Sequence, residues 1–228
     1  MAKALFSGVG AVDMRGKLNG SVFSKNRSGS YVRVKVTPTN PQTAEQLTAR
    51  STLTTLSQEW RTLTAAQIAA WNAAAPSFIR TNVFGNGVAP TGKNLYTALN
   101  TNLKNSGAAT ISDPPAPAEV EQPIAGALVM EFDGDKTVAY TGTTAASRVL
   151  VWACAPQSAG RRSVKSLMRL IATFAGNTAS PLDIASAYNA RFGTGADGQY
   201  VAVELQGVNL TTGQASLRTK VDGLFTAA

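Results

Sequence analysis

NGSVFSKNRSGSYVRVKV, residues 19–36, decides how the first part of this chain is read. Two strand-like runs flank a turn at Asn26 to Gly29, and the pattern predicts a β-hairpin. Side chains alternate along a strand. In the second run Val32, Val34 and Val36 therefore face one way, and Tyr31, Arg33 and Lys35 face the other. One face is able to pack and the other is cationic. Two strands alone are marginal in water, so the hairpin needs a surface to dock on, either the helices that follow or a neighbouring subunit.

Outward from the hairpin, Pro38 and Pro41 stop the strand and disfavour helix in the residues before them. Thr43 with Gln46 then reads as a capping box opening a first helix, with Leu47, Leu53, Leu56 and Trp60 as its apolar stripe. Thr64 with Gln67 repeats the signal, Leu63 and Ile68 are placed as a hydrophobic staple, and Pro76 ends this second helix. Thr91 before Gly92, with Leu95, Tyr96, Leu99 and Leu103, marks a third that stops at Asn105-Ser106-Gly107.

From Ala108 to Gly126 four prolines among Ala and Glu give the composition of a stiff, extended linker. Strand signals dominate beyond it: Val129–Phe132, Val138–Tyr140, the doubly apolar run Val149–Cys154, Tyr200–Leu205 and Ala215–Val221. Residues 164–174 fit either a strand or a helix by period and are assigned to strand. Ser180 as cap and Pro181 at the first position predict one helix carrying Leu182, Ala185, Tyr188 and Phe192. The expected fold is α+β: a basic N-terminal β-hairpin arm with about three helices (1–107), a proline-rich linker (108–126), and a small immunoglobulin- or fibronectin-like β-sandwich with one helix (127–228).

Composition narrows function. The 228 residues include no His and a single Cys, Cys154. Disulfides within the chain, the usual zinc sites and His-based nucleophilic catalysis are therefore excluded. Cys154 sits in an apolar run and reads as a core thiol. The formal charge of +8 is uneven: residues 1–107 hold twelve Lys or Arg against three acids, while residues 108–228 hold nine against ten. An acidic partner would meet the N-terminal end, where Lys25, Arg27, Tyr31, Arg33 and Lys35 are the candidate contacts with nucleic acid or protein. A solvated cationic face is the plainer alternative. The start, Met1 to Val12, is too short and interrupted for a signal peptide, and no apolar run has membrane-spanning length, so a soluble protein made in the cytoplasm is expected.

Two motifs resemble catalytic ones. Gly87 to Asn94 fits G-x-x-x-x-G-K but has Asn94 where a magnesium ligand is needed, and it lacks a preceding apolar strand; a loop opening a helix accounts for it. Asp133 and Asp135 flank Gly134 in what reads as a hairpin turn, not an acid–base pair. No cofactor, metal, small-molecule substrate or catalytic residue is expected. A carbohydrate-binding module is a further alternative, though its usual exposed aromatics are not evident.

Gly16-Lys17-Leu18-Asn19-Gly20-Ser21-Val22, Asn26 to Tyr31, Asn40 to Thr43 with Gln46 and Arg50, and the segment around Trp60, Leu63, Thr64, Gln67 and Trp71 together resemble a family of virion-associated proteins. That family belongs to tailed phages and prophages, especially those of Bacteroidota, including crAss-like phages. Gly92 to Asn105 and the proline-rich link to a β domain are similar too. About half the chain is covered. The resemblance implies a structural, non-catalytic role in a bacteriophage virion (capsid, portal or tail ring, or decoration). Implied partners are copies of itself and other virion proteins, with phage DNA as a further one.

Overall fold

The computed structural model describes residues 3–7, 10–26, 29–81 and 87–227. It is mixed α and β, and its contacts divide the chain into Met1–Leu47 and Thr48–Ala228. Arg27, one of the candidate contacts, lies outside the described residues.

The smaller unit is a four-stranded antiparallel sheet in chain order: β1 (Lys3–Ser7), β2 (Gly10–Leu18), β3 (Ser21–Asn26) and β4 (Gly29–Val34). The first part of β2 pairs with β1, and its last three residues, Gly16 to Leu18, pair with β3. The expected pair β3–β4 runs from Ser21↔Val34 to Asn26↔Gly29. Two further strands precede it. Asn19-Gly20 makes the two-residue turn between β2 and β3, with Asn19 at φ 49°, a left-handed conformation that Asn tolerates better than most residues.

In the larger unit three helices surround a small core. They are α1 (Ala44–Thr62), α2 (Ala65–Ala74) and α3 (Gly92–Asn105), with the short strands β5 (Arg80–Thr81) and β6 (Gly87–Val88) paired antiparallel before α3. All three predicted caps form. Thr43 Oγ1 accepts from Gln46 N at 3.4 Å, Thr64 and Gln67 make a reciprocal capping box, and Thr91 Oγ1 accepts from Asn94 N at 3.3 Å. Leu56, Trp71, Leu95, Tyr96 and Leu99 are buried together. The Tyr96 ring lies 5.3 Å from Trp60 and, edge to face, 5.3 Å from Trp71.

The remainder holds two antiparallel sheets around one core. β7 (Ile124–Met130), β8 (Lys136–Thr141) and β11 (Leu182–Asp183) form one in the order β11-β8-β7. The other, in the order β10-β9-β12-β13, comprises β9 (Ser147–Ala153), β10 (Arg169–Ala175), β12 (Tyr200–Asn209) and β13 (Thr219–Leu224). Val149, Val151, Val201, Val203 and Leu205 of the second sheet meet Met130, Val138 and Tyr140 of the first, and Tyr188 of α4 (Ala185–Phe192) joins them. The doubly apolar run is the interior strand β9, as its pattern predicts.

Two local expectations need correction, and a third, the strand assigned to 164–174, is met from Arg169 onward. The helix assigned to start at Ser180 starts at Ala185, because Leu182 pairs with Val138 in β11, Ser180 Oγ accepts from Tyr140 N, and Asp183 Oδ1 takes the Ala185 N–H. The last strand begins at Thr219, not Ala215; Ala215 makes only an isolated bridge to Val208, and Leu217 is exposed. The ambiguous 164–174 stretch is a short 3₁₀ turn, Lys165–Leu167, followed by the strand β10.

The proline-rich stretch lies within the larger unit and is fastened along its length. Trp71 Nε1 donates to Ser112 O at 2.8 Å, and the Asn100 amide accepts from Ile111 N at 2.7 Å and donates to Ile111 O at 3.1 Å. Farther along, Ala118 N donates to Gln214 Oε1 at 2.8 Å, and Glu121 accepts from Thr144 and Ser147.

Candidate partner-binding surface

Strand pairing fixes which side chains share a face of the N-terminal sheet. Directly paired residues lie on the same side, and each step along a strand changes side. One face carries the rows Leu18–Ser21–Val34, Gly16–Phe23–Val32 and Lys25–Ser30. The other carries Lys17–Val22–Arg33 and Ser24–Tyr31, with Arg15 two residues before Lys17. Lys35 extends the second set, since its N–H donates to Gly20 O at 2.8 Å and continues the ladder beyond β4.

The structure thus brings together Tyr31, Arg33 and Lys35 and separates Lys25 from them, on the aliphatic side near the β3–β4 turn. It adds Arg15 and Lys17 to the cationic face, both exposed. Sequence reading missed those two because it began the sheet at residue 19. The signal that could have found them is the Asn19-Gly20 pair after an alternating run, a strong short-range hairpin mark.

The aliphatic face carries exposed hydrophobic side chains. Leu18 is 55% exposed, Val32 59% and Val34 77%, while Phe23 is half-buried. Neither hydrophobic cluster among the described residues includes any residue before Leu56. Isolated exposed hydrophobic residues are ordinary on protein surfaces, but adjoining ones on one sheet face mark a contact surface.

A second feature lies wholly in the larger unit: an open cleft of about 1190 Å³ between α3, the β5–β6 pair and the loop before β13. Its described lining is rich in hydroxyl and amide groups, among them Thr97, Asn102, Gln206 and Gln214, and Arg80 is its sole charged side chain. That lining offers no pair of acid and base. No group of three or more His, Cys, Asp or Glu able to hold a metal ion occurs among the described residues.

The P-loop-like segment ends here as well. Gly92 opens α3 where a Cβ would come within 2.8 Å of Asn72 N and 2.9 Å of the Trp71 carbonyl carbon. The glycine serves the close approach of α3 to α2, and β5–β6 stands where a phosphate loop would need a buried parallel strand. Asp133 and Asp135 occupy the β7–β8 turn, where Glu131 N donates to Asp135 O and Asp135 N donates to Glu131 Oε2. Cys154 is fully buried; burial raises its thiol pKa, and its Sγ accepts from Ala202 N at 3.3 Å.

No family model, curated protein or solved structure matches the chain.

Proposed function

We propose that this chain is a structural, non-catalytic subunit of a tailed-phage virion, assembling through its N-terminal sheet. The observation that carries the proposal is the two-sided sheet, with Leu18, Val32 and Val34 exposed on one face and cations on the other. A sheet that leaves its aliphatic face in water is poorly stabilised alone and gains stability when another surface covers it. The resemblance of residues 16–72 and 92–105 to virion-associated proteins supplies the kind of assembly. The two sheets sharing a core after residue 124 support reading the second half as an immunoglobulin-like module exposed on, or linking, neighbouring subunits. Electron microscopy of particles from a host carrying the gene tests this. Density for the chain at symmetric positions in the capsid, portal or tail supports the proposal, and its absence from every particle overturns it.

The cationic face supports a second reading, nucleic-acid binding. Arg15, Lys17, Arg33 and Lys35 on one side of a ribbon, beside Tyr31, would contact phosphates without reading sequence. Retention on duplex DNA that falls steeply between low and physiological salt, and falls further in the Arg33→Ala variant, would favour it.

A further inference from the structure

We propose that the turn at residues 209–214 is a clasp holding the two-sheet body of the larger unit against its helices, and that its release lets the two bodies pivot about residues 114–117 with both cores intact. The device lies wholly within the larger unit and stands whatever assembly the chain joins.

Each body has a core of its own. Among the described residues the two hydrophobic clusters share no member, and the elements that pack closely do so within one body, α2 with α3 on one side and β7 with β13 or α4 with β10 on the other. Between the bodies lies the open cleft of about 1190 Å³, with Thr97 and Asn102 on the α3 side and Gln206 and Gln214 on the other. A packed interior leaves no gap of that size, so apolar burial is not what joins them there.

The turn makes the joint, and its shape is set locally. Asn209 Oδ1 accepts from Thr211 N at 2.9 Å and Thr212 N at 3.0 Å, Gly213 N donates to Asn209 O, and Gly213 takes φ 70°. So held, Gly213 O accepts from Asn102 Nδ2 at 2.9 Å, its backbone seats against Leu99 and Leu103, and Gln214 Oε1 accepts from Ala118 N at 2.8 Å. Consecutive residues thus grip α3 and the strap. Polar bonds bordering an open cleft exchange with water at small net cost, so the clasp is able to open without either core melting.

The strap locates the pivot. Residues 111–113 belong to the helical body through Trp71, Asn100 and Gln67, whose Nε2 donates to Asp113 Oδ1 at 3.2 Å. Glu121 and Pro123 belong to the two-sheet body through Thr144, Ser147 and Thr219. Pro114, Pro115 and Pro117 lie between these anchorages and have no N–H to donate, and the Ala118 bond to Gln214 ties down the far end of this stretch.

Spin labels on the two bodies provide the test. In the full chain, Arg61→Cys on α1 and Thr173→Cys on β10 place one label on each, both at exposed positions, while the native Cys154 is fully buried. Pulsed electron resonance should give one narrow distance for the parent. Adding Asn102→Ala with Gln214→Ala should widen the distribution several-fold, as should Gly213→Val, which wedges the seat. Helical circular dichroism and cooperative urea unfolding should persist in the Asn102→Ala, Gln214→Ala chain. A distribution that stays narrow in both variants, one already as broad in the parent, or broadening accompanied by loss of helical signal in the double-alanine chain would each overturn the clasp.

Discussion

Glu121 carries more than its exposure suggests. Its carboxylate accepts from Thr144 Oγ1 at 2.6 Å, Thr144 N at 2.8 Å and Ser147 Oγ at 2.8 Å, and these bonds hold its pKa below the ordinary 4.5, the Thr144 side chain most of all. A lowered folded-state pKa contributes stability that is present above the unfolded value and lost as pH falls through the folded one. Thermal melts of Glu121→Gln should therefore fall below the parent at pH 7, with the gap closing as pH drops below about 4.5. An unchanged gap at pH 3 would show that the charge is not what matters. Tyr96 has the opposite sign. Burial, and then the neighbouring Glu59 carboxylate 3.2 Å from its hydroxyl, push its pKa from 10.0 to about 12. Its contribution is full below pH 10 and drains as the unfolded phenol ionises first. Absorbance titration at alkaline pH should show Tyr96 and Tyr188 ionising late, the latter held back by burial, with Tyr96→Phe removing one late step.

Among the elements, α2 and α3 are defined by local chemistry that the sequence displays openly. Thr64 and Gln67 satisfy each other's backbone N–H groups, so Thr64→Ala should cost about 1 kcal/mol, measured by denaturant titration. Gly92→Ala should cost more than the ordinary effect of a helical glycine, because its Cβ would press on the backbone of Asn72 and Trp71, which cannot yield as a side-chain tip can. A neutral or stabilising result would mean that the two helices are free to part. The sheet elements were legible where both neighbours were apolar, as in β9, and misjudged where tertiary partners outweighed local preference. Ser180-Pro181 has the form of a helix start, yet Leu182 finds a strand partner in Val138, and the helix begins only after Asp183, whose carboxylate accepts from Ala185 N.

On the scale of the whole molecule, two buried clusters hold the larger unit, and a strap of prolines runs between the elements that build them. The loop before β13 meets α3 closely: Asn102 Nδ2 donates to Gly213 O at 2.9 Å, and Gly213, at φ 70°, leaves no room for a Cβ beside the Leu99 carbonyl. Removing residues 1–42 keeps Thr43 as the cap of α1 and touches neither cluster. The truncated chain should retain its helical circular dichroism and cooperative melt while losing concentration-dependent self-association. Retained self-association would move the contact surface into the larger unit.

The sequence by itself determined the three capped helices, the interior strand β9, the β3–β4 pair and the cationic character of its alternate positions. All of these follow from interactions within a few residues or from a strand period of two. Only the tertiary structure decided that Lys25 and Arg33 lie on opposite faces, that Arg15 and Lys17 join the latter, and that the 108–126 stretch is tied to Trp71 and Asn100 at one end and to Thr144, Ser147 and Gln214 at the other. Those outcomes depend on strand register and on partners as many as 96 positions away, such as Gln214 for Ala118, and no local pattern encodes either.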